Sequence, residues 1–137
     1  MYNNLDNDYL LKDIFNLEKK AEEVLNPKEG LRIGNLFYNL YQPYKHYEPR
    51  ELVARDEKEV IMLKIQELSF AINDLVLYLD LNPNNEEMIH LFRQCSTELK
   101  RVCEIYVEKY GPLLIEEDLK DGFNWYKGPW PWEGKDV

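Results

Sequence analysis

The sequence pattern most suggestive of chemistry is a Glu-x-x-His unit formed by Glu87 and His90. Helical bundles that bind two iron or two manganese ions use this unit twice, with two further glutamates from facing helices. The only other histidine is His46, and Pro43, not a glutamate, stands three positions before it. One chain therefore lacks the second copy. We expect a solvated helix face here, and the alternative is a metal-binding helical bundle that forms on oligomerisation.

Other catalytic patterns are missing from the sequence. It contains no Cys/His spacing typical of zinc sites and no glycine-rich phosphate loop, and neither Ser69 nor Ser96 lies in a nucleophile-elbow motif. Cys95 and Cys103 are eight residues apart on one predicted helix, about 12 Å along its axis and too far for a mutual disulfide. We therefore predict free buried thiols, no catalytic residue, no metal ligand and no cofactor, and a protein that is not an enzyme.

The charge balance argues against two classes of binding partner. The chain has 26 acidic and 17 basic side chains, a net charge of −9, which argues against nucleic acid and against anionic membrane surfaces. The most apolar stretch, 60–81, is too charged for a membrane span. The N-terminus shows neither a basic region nor an apolar signal core, so we expect the protein to stay in a cytoplasm-like compartment.

Apolar periodicity predicts an all-α fold. A first helix is expected from Asp8 to Val24, and Asn26-Pro27 opens a short second one with a cap and an N1 proline. Two long helices follow, at about 51–79 and from Asn82-Pro83 to Gly111, where glycine suits a left-handed cap. The long helices carry matching heptad-like stripes, which predict an antiparallel hairpin: Ile61, Ile65, Leu68, Ile72, Leu75 and Leu79 on one, and Met88, Phe92, Cys95, Leu99, Val102 and Tyr106 on the other.

Three groups of apolar side chains are left over as candidate contact residues. Leu63, Phe70 and Leu77 form a second stripe about 200° around the first long helix, which the N-terminal helix, the C-terminal tail or another chain must cover. The expected linker after the short helix holds a tyrosine at every third position, and the extended, proline-rich tail holds all the tryptophans: Tyr38, Tyr41, Tyr44 and Tyr47, and Trp125, Trp130 and Trp132.

These aromatic groups have alternative interpretations. The tyrosines either anchor the linker on a protein surface or are oxidatively cross-linked near a redox partner. The tryptophans either fold back onto the second stripe or serve as hot-spot anchors on a partner. We expect self-association or partner binding in either case.

Several segments resemble a known family. The pattern Leu77-Tyr78-Leu79-Asp80 followed by Pro83, the sequence 108–113 (EKYGPL), and Trp125 followed by 129–133 (PWPWE) resemble the spore coat protein JB family, CotJB, over about 58–133. Leu81-Asn82 stands where that family usually has Thr-His. Upstream, residues 26–31 with Gly34 and the apolar and aromatic residues up to Tyr44 resemble the end of spore coat protein JA, CotJA, although Gly30 replaces its alanine and Asn35 its threonine.

The resemblance implies a function and a domain organisation. It predicts an N-terminal helix and JA-like segment at 1–48 and a JB-like hairpin with tail at 49–137. It further implies a structural or assembly protein that passes from the mother-cell cytoplasm into the spore coat. Other coat proteins are the implied partners, among them a JC-type protein resembling manganese catalases.

Overall fold

A computed structural model describes residues 24–40, 42, 44–119, 122, 123, 125–127 and 132. In these residues the protein has three α-helices, which are α1 (Pro27–Ile33), α2 (Glu57–Leu81) and α3 (Glu86–Tyr110). Short 3-10 turns lie at Tyr38–Leu40, Ile115–Leu119 and Trp125–Lys127, and no strand occurs in this part of the chain. The all-α prediction is confirmed. The predicted first helix, from Asp8 to Val24, lies outside the described residues except for Val24 itself.

The ends of the two long helices are set by side chains that bind free backbone N–H groups, and here the sequence prediction needs correction. Helix α2 starts after Asp56, whose side chain accepts the Glu59 N–H at 2.8 Å, and not at Glu51. The α3 cap is Asn85, not Asn82, because Asn85 accepts the Met88 N–H at 3.1 Å. Asn82 instead closes α2, its N–H donating to the carbonyl of Tyr78 at 3.0 Å.

The end of α3 also differs in detail from the prediction. Gly111 has φ 102° and ψ 179°, so it is not in the left-handed helical conformation. Its positive φ still favours glycine, because a side chain there would be strained. The Gly111 N–H closes the helix by donating to the carbonyl of Val107 at 3.1 Å.

Helices α2 and α3 form the antiparallel hairpin. The Lys109 ammonium near the end of α3 donates to Glu57, the first residue of α2, which brings opposite ends of the two helices together. Seven of the twelve residues of the predicted stripes are buried and the other five are half-buried, and Ala71 and Leu91, outside the predicted stripes, are buried as well. The core of the hairpin consists of Ile61, Leu68, Ala71 and Leu75 from α2 and Met88, Leu91, Cys95, Val102 and Tyr106 from α3.

Helix α1 is closed by local hydrogen bonds at both ends. Asn26 caps it by accepting the Glu29 N–H at 2.9 Å, and Pro27 occupies its first position, as predicted. Gly34 ends it in the left-handed conformation, with φ 92°. The N–H groups of Gly34 and Asn35 both donate to the carbonyl of Gly30, so the chain turns back sharply after the helix.

The segment 24–37 packs against α2. The Leu25 N–H donates to the carbonyl of Leu36 at 2.7 Å, which closes the segment around α1. The Leu36 N–H donates to Asp74 Oδ2 at 2.7 Å, and the Phe37 ring stacks on Tyr78 with centroids 4.7 Å apart. Leu36 is fully buried. Residues 36 and 37, which belong to a stretch predicted only to be irregular, are therefore part of the core.

Substitution of Asp74 tests this docking. Asp74→Ala leaves the Leu36 N–H without its acceptor in a partly buried position, which costs about 1–3 kcal/mol. Asp74→Asn retains a side-chain oxygen and should cost less. Urea unfolding measures both free energies, with the exposed Asp80→Ala as control. Equal stability of the Asp74→Ala and Asp80→Ala variants would show that the hydrogen bond contributes nothing.

Gly30→Ala tests the close approach of α1 to the chain that follows it. A Cβ at Gly30 would lie 3.1 Å from Leu36 Cδ1 and 3.3 Å from Leu36 Cα. Alanine ordinarily stabilises a helix interior by about 1 kcal/mol over glycine, but Leu36 is held by Asp74 and cannot easily retreat, and overpacking costs about 1–3 kcal/mol. We expect a lower melting temperature for Gly30→Ala. Asn73→Ala, at an exposed position of α2, is the control. If Gly30→Ala raised the melting temperature as the control does, the tight contact with Leu36 would be contradicted.

The contact at the open end of the hairpin predicts a pH dependence. The hydrogen bond from the Lys109 ammonium lowers the pKa of Glu57, and a second one from the Tyr110 hydroxyl acts in the same direction. The pKa of Glu57 is thus lower in the folded state than in the unfolded chain. The ionised carboxylate therefore makes its full contribution to stability above the unfolded pKa of about 4.3, and this contribution is lost as the pH falls through the folded-state pKa. Thermal unfolding should show Glu57→Gln below wild type at pH 7, and by a smaller difference at pH 3. An unchanged difference between the two pH values would rule out the ionic contribution.

Candidate interaction surface

The end of the hairpin that contains the turn between α2 and α3, here called the turn end, exposes large apolar side chains. Leu77 and Leu81 are one helical turn apart on α2 and are 66% and 84% exposed. Tyr38 and Leu40, in the 3-10 turn after Phe37, are also exposed. Since Phe37 stacks on Tyr78, which lies between the two leucines in sequence, the 3-10 turn lies beside this end of α2. We call Leu77, Leu81, Tyr38 and Leu40 the turn-end patch.

The predicted second stripe of α2 is not uniform. Leu77 is exposed, but Leu63 and Phe70 are half-buried. Leu63 lines a shallow cleft between α2 and the extended chain at 52–54, whose other lining residues are Leu52, Val53, Ala54, Glu59, Met62 and Gln66. The part of α2 that segment 24–37 covers lies next to this stripe, around Asp74 and Tyr78.

The candidate tyrosines in the described residues lie at the surface. Tyr38, Tyr44 and Tyr47 are all more than half exposed, and Tyr41 lies outside the described residues. The Tyr47 N–H donates to the carbonyl of Tyr44 at 2.9 Å, so these two rings leave one tight turn. The Lys45 ammonium lies 5.0 Å from the centroid of the Tyr44 ring. Their exposure is compatible with both surface anchoring and cross-linking, so the two interpretations remain predictions.

The tail contributes one candidate side chain whose position is described. Trp132 is 77% exposed, whereas Trp130 lies outside the described residues. Trp125 begins a 3-10 turn, and the rings of Phe123 and Tyr126 around it have centroids 6.4 Å apart. Because Leu77 also remains exposed, Trp132 and Leu77 do not bury each other. Docking of the tail on the chain itself or on a partner remains a prediction.

Two carboxylates inside the structure were not recognised as structural residues from the sequence. Asp74 binds the Leu36 backbone, and Glu67, only 6% exposed, lies 3.5 Å from the Lys64 ammonium. The available signal was their position within the most apolar stretch of the chain, where an ionised group needs a partner. The sequence prediction used these charges only to argue against a membrane span.

The residues considered for chemistry in the described part of the chain include one Glu-x-x-His pair and two cysteines. Glu87 and His90 are exposed on α3, and the described residues hold no group of three or more potential metal ligands. Cys95 is buried, and burial raises the pKa of its thiol to about 11; burial also raises the pKa of Cys103, which is only half-buried. Both thiols are therefore protonated at neutral pH and weak as nucleophiles. No helix in the described residues is long and apolar enough to cross a membrane.

Comparison with known proteins identifies the family. No curated protein and no solved structure shows a significant match to this chain. A sequence profile described as CotJB protein matches residues 59–133, which include all but the first two residues of α2, the whole of α3 and most of the tail. More than half of the chain is thus covered. The chain belongs to the CotJB protein family, and this membership implies a role related to the spore coat.

Proposed function

We propose that this protein is a structural and assembly component of the spore coat that works through protein–protein contacts and not as an enzyme. The observation that carries the proposal is the display of large apolar side chains on a rigid hairpin, in a chain of the CotJB family. Leu81 on α2, at 84% exposure, and Trp132 in the tail, at 77%, are two of the most exposed of these side chains. Side chains of this size are costly to leave in water and are typical of contact surfaces.

The upstream segment supports an assembly role. Residues 26–44, which resemble the end of CotJA, include the part that packs on α2 through Leu36 and Phe37. We propose that the chain joins a JA-like segment to a JB-like hairpin. The covalent link would keep the two parts at high effective concentration, which strengthens binding to a partner that contacts both.

The partner is proposed from the family resemblance. Proteins of the JA and JB families are encoded with a JC-type protein that resembles manganese catalases, and we propose that such a coat protein binds this chain. Manganese would then belong to the partner. The location we propose is the mother-cell cytoplasm during assembly and the spore coat afterwards.

Fractionation of sporulating cells tests the proposal. An epitope-tagged full-length chain, replacing the native copy, should appear in the detergent-extracted coat fraction of mature spores and should co-purify with a manganese-containing protein. We expect Leu77→Ser/Trp132→Ala to retain the fold, because both side chains are exposed, and to reduce co-purification. Val53→Ser, at another exposed position, is the matched control.

Two results would overturn this function. One is a tagged chain that stays soluble in the mother cell and is absent from washed spores. The other is a purified protein that holds stoichiometric transition metal and loses it in His90→Ala but not in His46→Ala. That second result would support the metal-binding bundle formed on oligomerisation.

A further inference from the structure

We propose that residues 50–54 pair with the same residues of a second copy of the chain, as two antiparallel β-strands. This contact is additional to the partner contact proposed above and uses a different surface, at the end of the hairpin where α2 begins. The supporting observations are a free backbone edge, exposed apolar side chains, and a pattern of charges that complements itself when the segment is reversed.

The chain before α2 has a row of free backbone groups. Residues 47–54 run without a helix, turn or bend. Within the described part of the chain, the backbone N–H and C=O groups of 50–54 take part in no hydrogen bond. A row of such groups on an extended segment is a template for pairing with another strand.

The flanking residues show which edge of the segment faces outwards. The Pro49 carbonyl accepts a hydrogen bond from Arg32 at 3.5 Å, and the Arg55 N–H donates to Glu59 Oε2 at 2.7 Å. In an extended chain, the backbone groups of successive residues point to opposite edges. The odd-numbered positions therefore face the protein, and the even-numbered positions form the outer edge.

The side chains of the segment are apolar and exposed. Val53 is 80% and Leu52 46% exposed, and with Ala54 they border the shallow cleft whose other side includes Met62 and Leu63 of α2. Valine favours extended backbone, because its branched side chain packs well on a pleated surface. Pairing two copies would remove Val53 and Leu52 from water, which favours association.

The charges of the segment select a second copy as the occupant. In an antiparallel pair centred on Val53, Glu51 of each copy lies opposite Arg55 of the other, and Leu52 lies opposite Ala54. A parallel pair in register would instead place each charge opposite its own kind. Since each chain has a net charge of −9, two copies repel at long range and need opposite charges where they meet. Only the antiparallel pair provides them.

Both charged side chains are available for this contact. Glu51 is 67% exposed, and its nearest cation, Arg32 at 3.8 Å, is bound more closely by Glu29 at 2.7 Å. Arg55 is 77% exposed and donates to Glu59 through Nε at 3.3 Å. Exposed pairs of this kind contribute little to stability, and a guanidinium has further N–H donors. Arg55 can therefore bind Glu59 and Glu51 of the second copy together.

The Arg55 N–H also selects the hydrogen-bond register. Antiparallel strands alternate between pairs of residues that exchange backbone hydrogen bonds and pairs that do not. If Val53 faces its copy in a pair of the second kind, the bonds are exchanged between Leu52 and Ala54, which lie on the outer edge. The alternative register would need the Arg55 N–H, which Glu59 already binds.

Charge-reversal variants of the full-length protein test the inference by sedimentation equilibrium. Wild type should form dimers. Glu51→Arg and Arg55→Glu each place like charges opposite one another, and each should weaken dimerisation about tenfold or more. An equimolar mixture of the two variants should dimerise like wild type, because each altered side chain then meets the opposite charge on the other variant.

Backbone and surface variants separate this contact from others. Ala54→Pro removes an N–H of the outer edge and should also weaken dimerisation. Leu77→Ser/Leu81→Ser, in the turn-end patch, is the control and should dimerise like wild type. Val53→Ser should weaken dimerisation but keep the coat partner, since it retains Leu77 and Trp132. Failure of this inference and failure of the coat function are therefore distinguishable.

Circular dichroism checks that every variant keeps its helices. Three results would overturn the inference: wild type that stays monomeric, a mixture of the two charge variants that dimerises no better than either alone, or dimers that Leu77→Ser/Leu81→Ser abolishes and Glu51→Arg leaves intact.

Discussion

Helix α2 has more apolar surface than one neighbouring helix can cover, and the rest of the structure depends on how that surface is shared. One side packs against α3 through Ile61, Leu68 and Leu75, which are almost completely buried. An adjacent side packs under residues 24–37 near Tyr78. Helix α3, in contrast, buries one side only. The hairpin alone would leave Tyr78 and Asp74 uncovered, so the N-terminal segment completes the fold.

Polar side chains bind free backbone N–H groups at several places where the chain changes direction. Asn26, Asp56 and Asn85 cap the three helices, and Glu117 accepts the N–H groups of Leu113 and Leu114 at 2.8 and 3.0 Å. Asp74 does the same across 38 residues of sequence, by accepting the Leu36 N–H. The same kind of interaction that caps the N-termini of the helices therefore also holds residues 24–37 on α2.

Much of the fold, but little of the candidate surface, could be predicted from the sequence. The stripes of α2 and α3 have a regular period, so their existence and antiparallel pairing followed from spacing alone. The α3 cap was misplaced by three residues, because Asn82-Pro83 and Asn85 are both acceptable caps and only the tertiary structure distinguishes them. Docking of Leu36 could not be foreseen, since a single long-range hydrogen bond has no periodic pattern. Likewise, the second stripe predicted three equivalent residues, whereas Leu63 and Phe70 are half-buried and Leu77 is exposed.

The central claim is that residues 24–37 are an integral part of the fold, held on α2 by Asp74. Hydrogen exchange of the Leu36 amide, resolved by NMR in the full-length protein, tests it most directly. The hydrogen bond to Asp74 and the complete burial of Leu36 predict protection comparable to that of core amides in α2, such as that of Leu68. Exchange of the Leu36 amide at the rate of an unstructured peptide, while the α2 and α3 amides stay protected, would contradict the account.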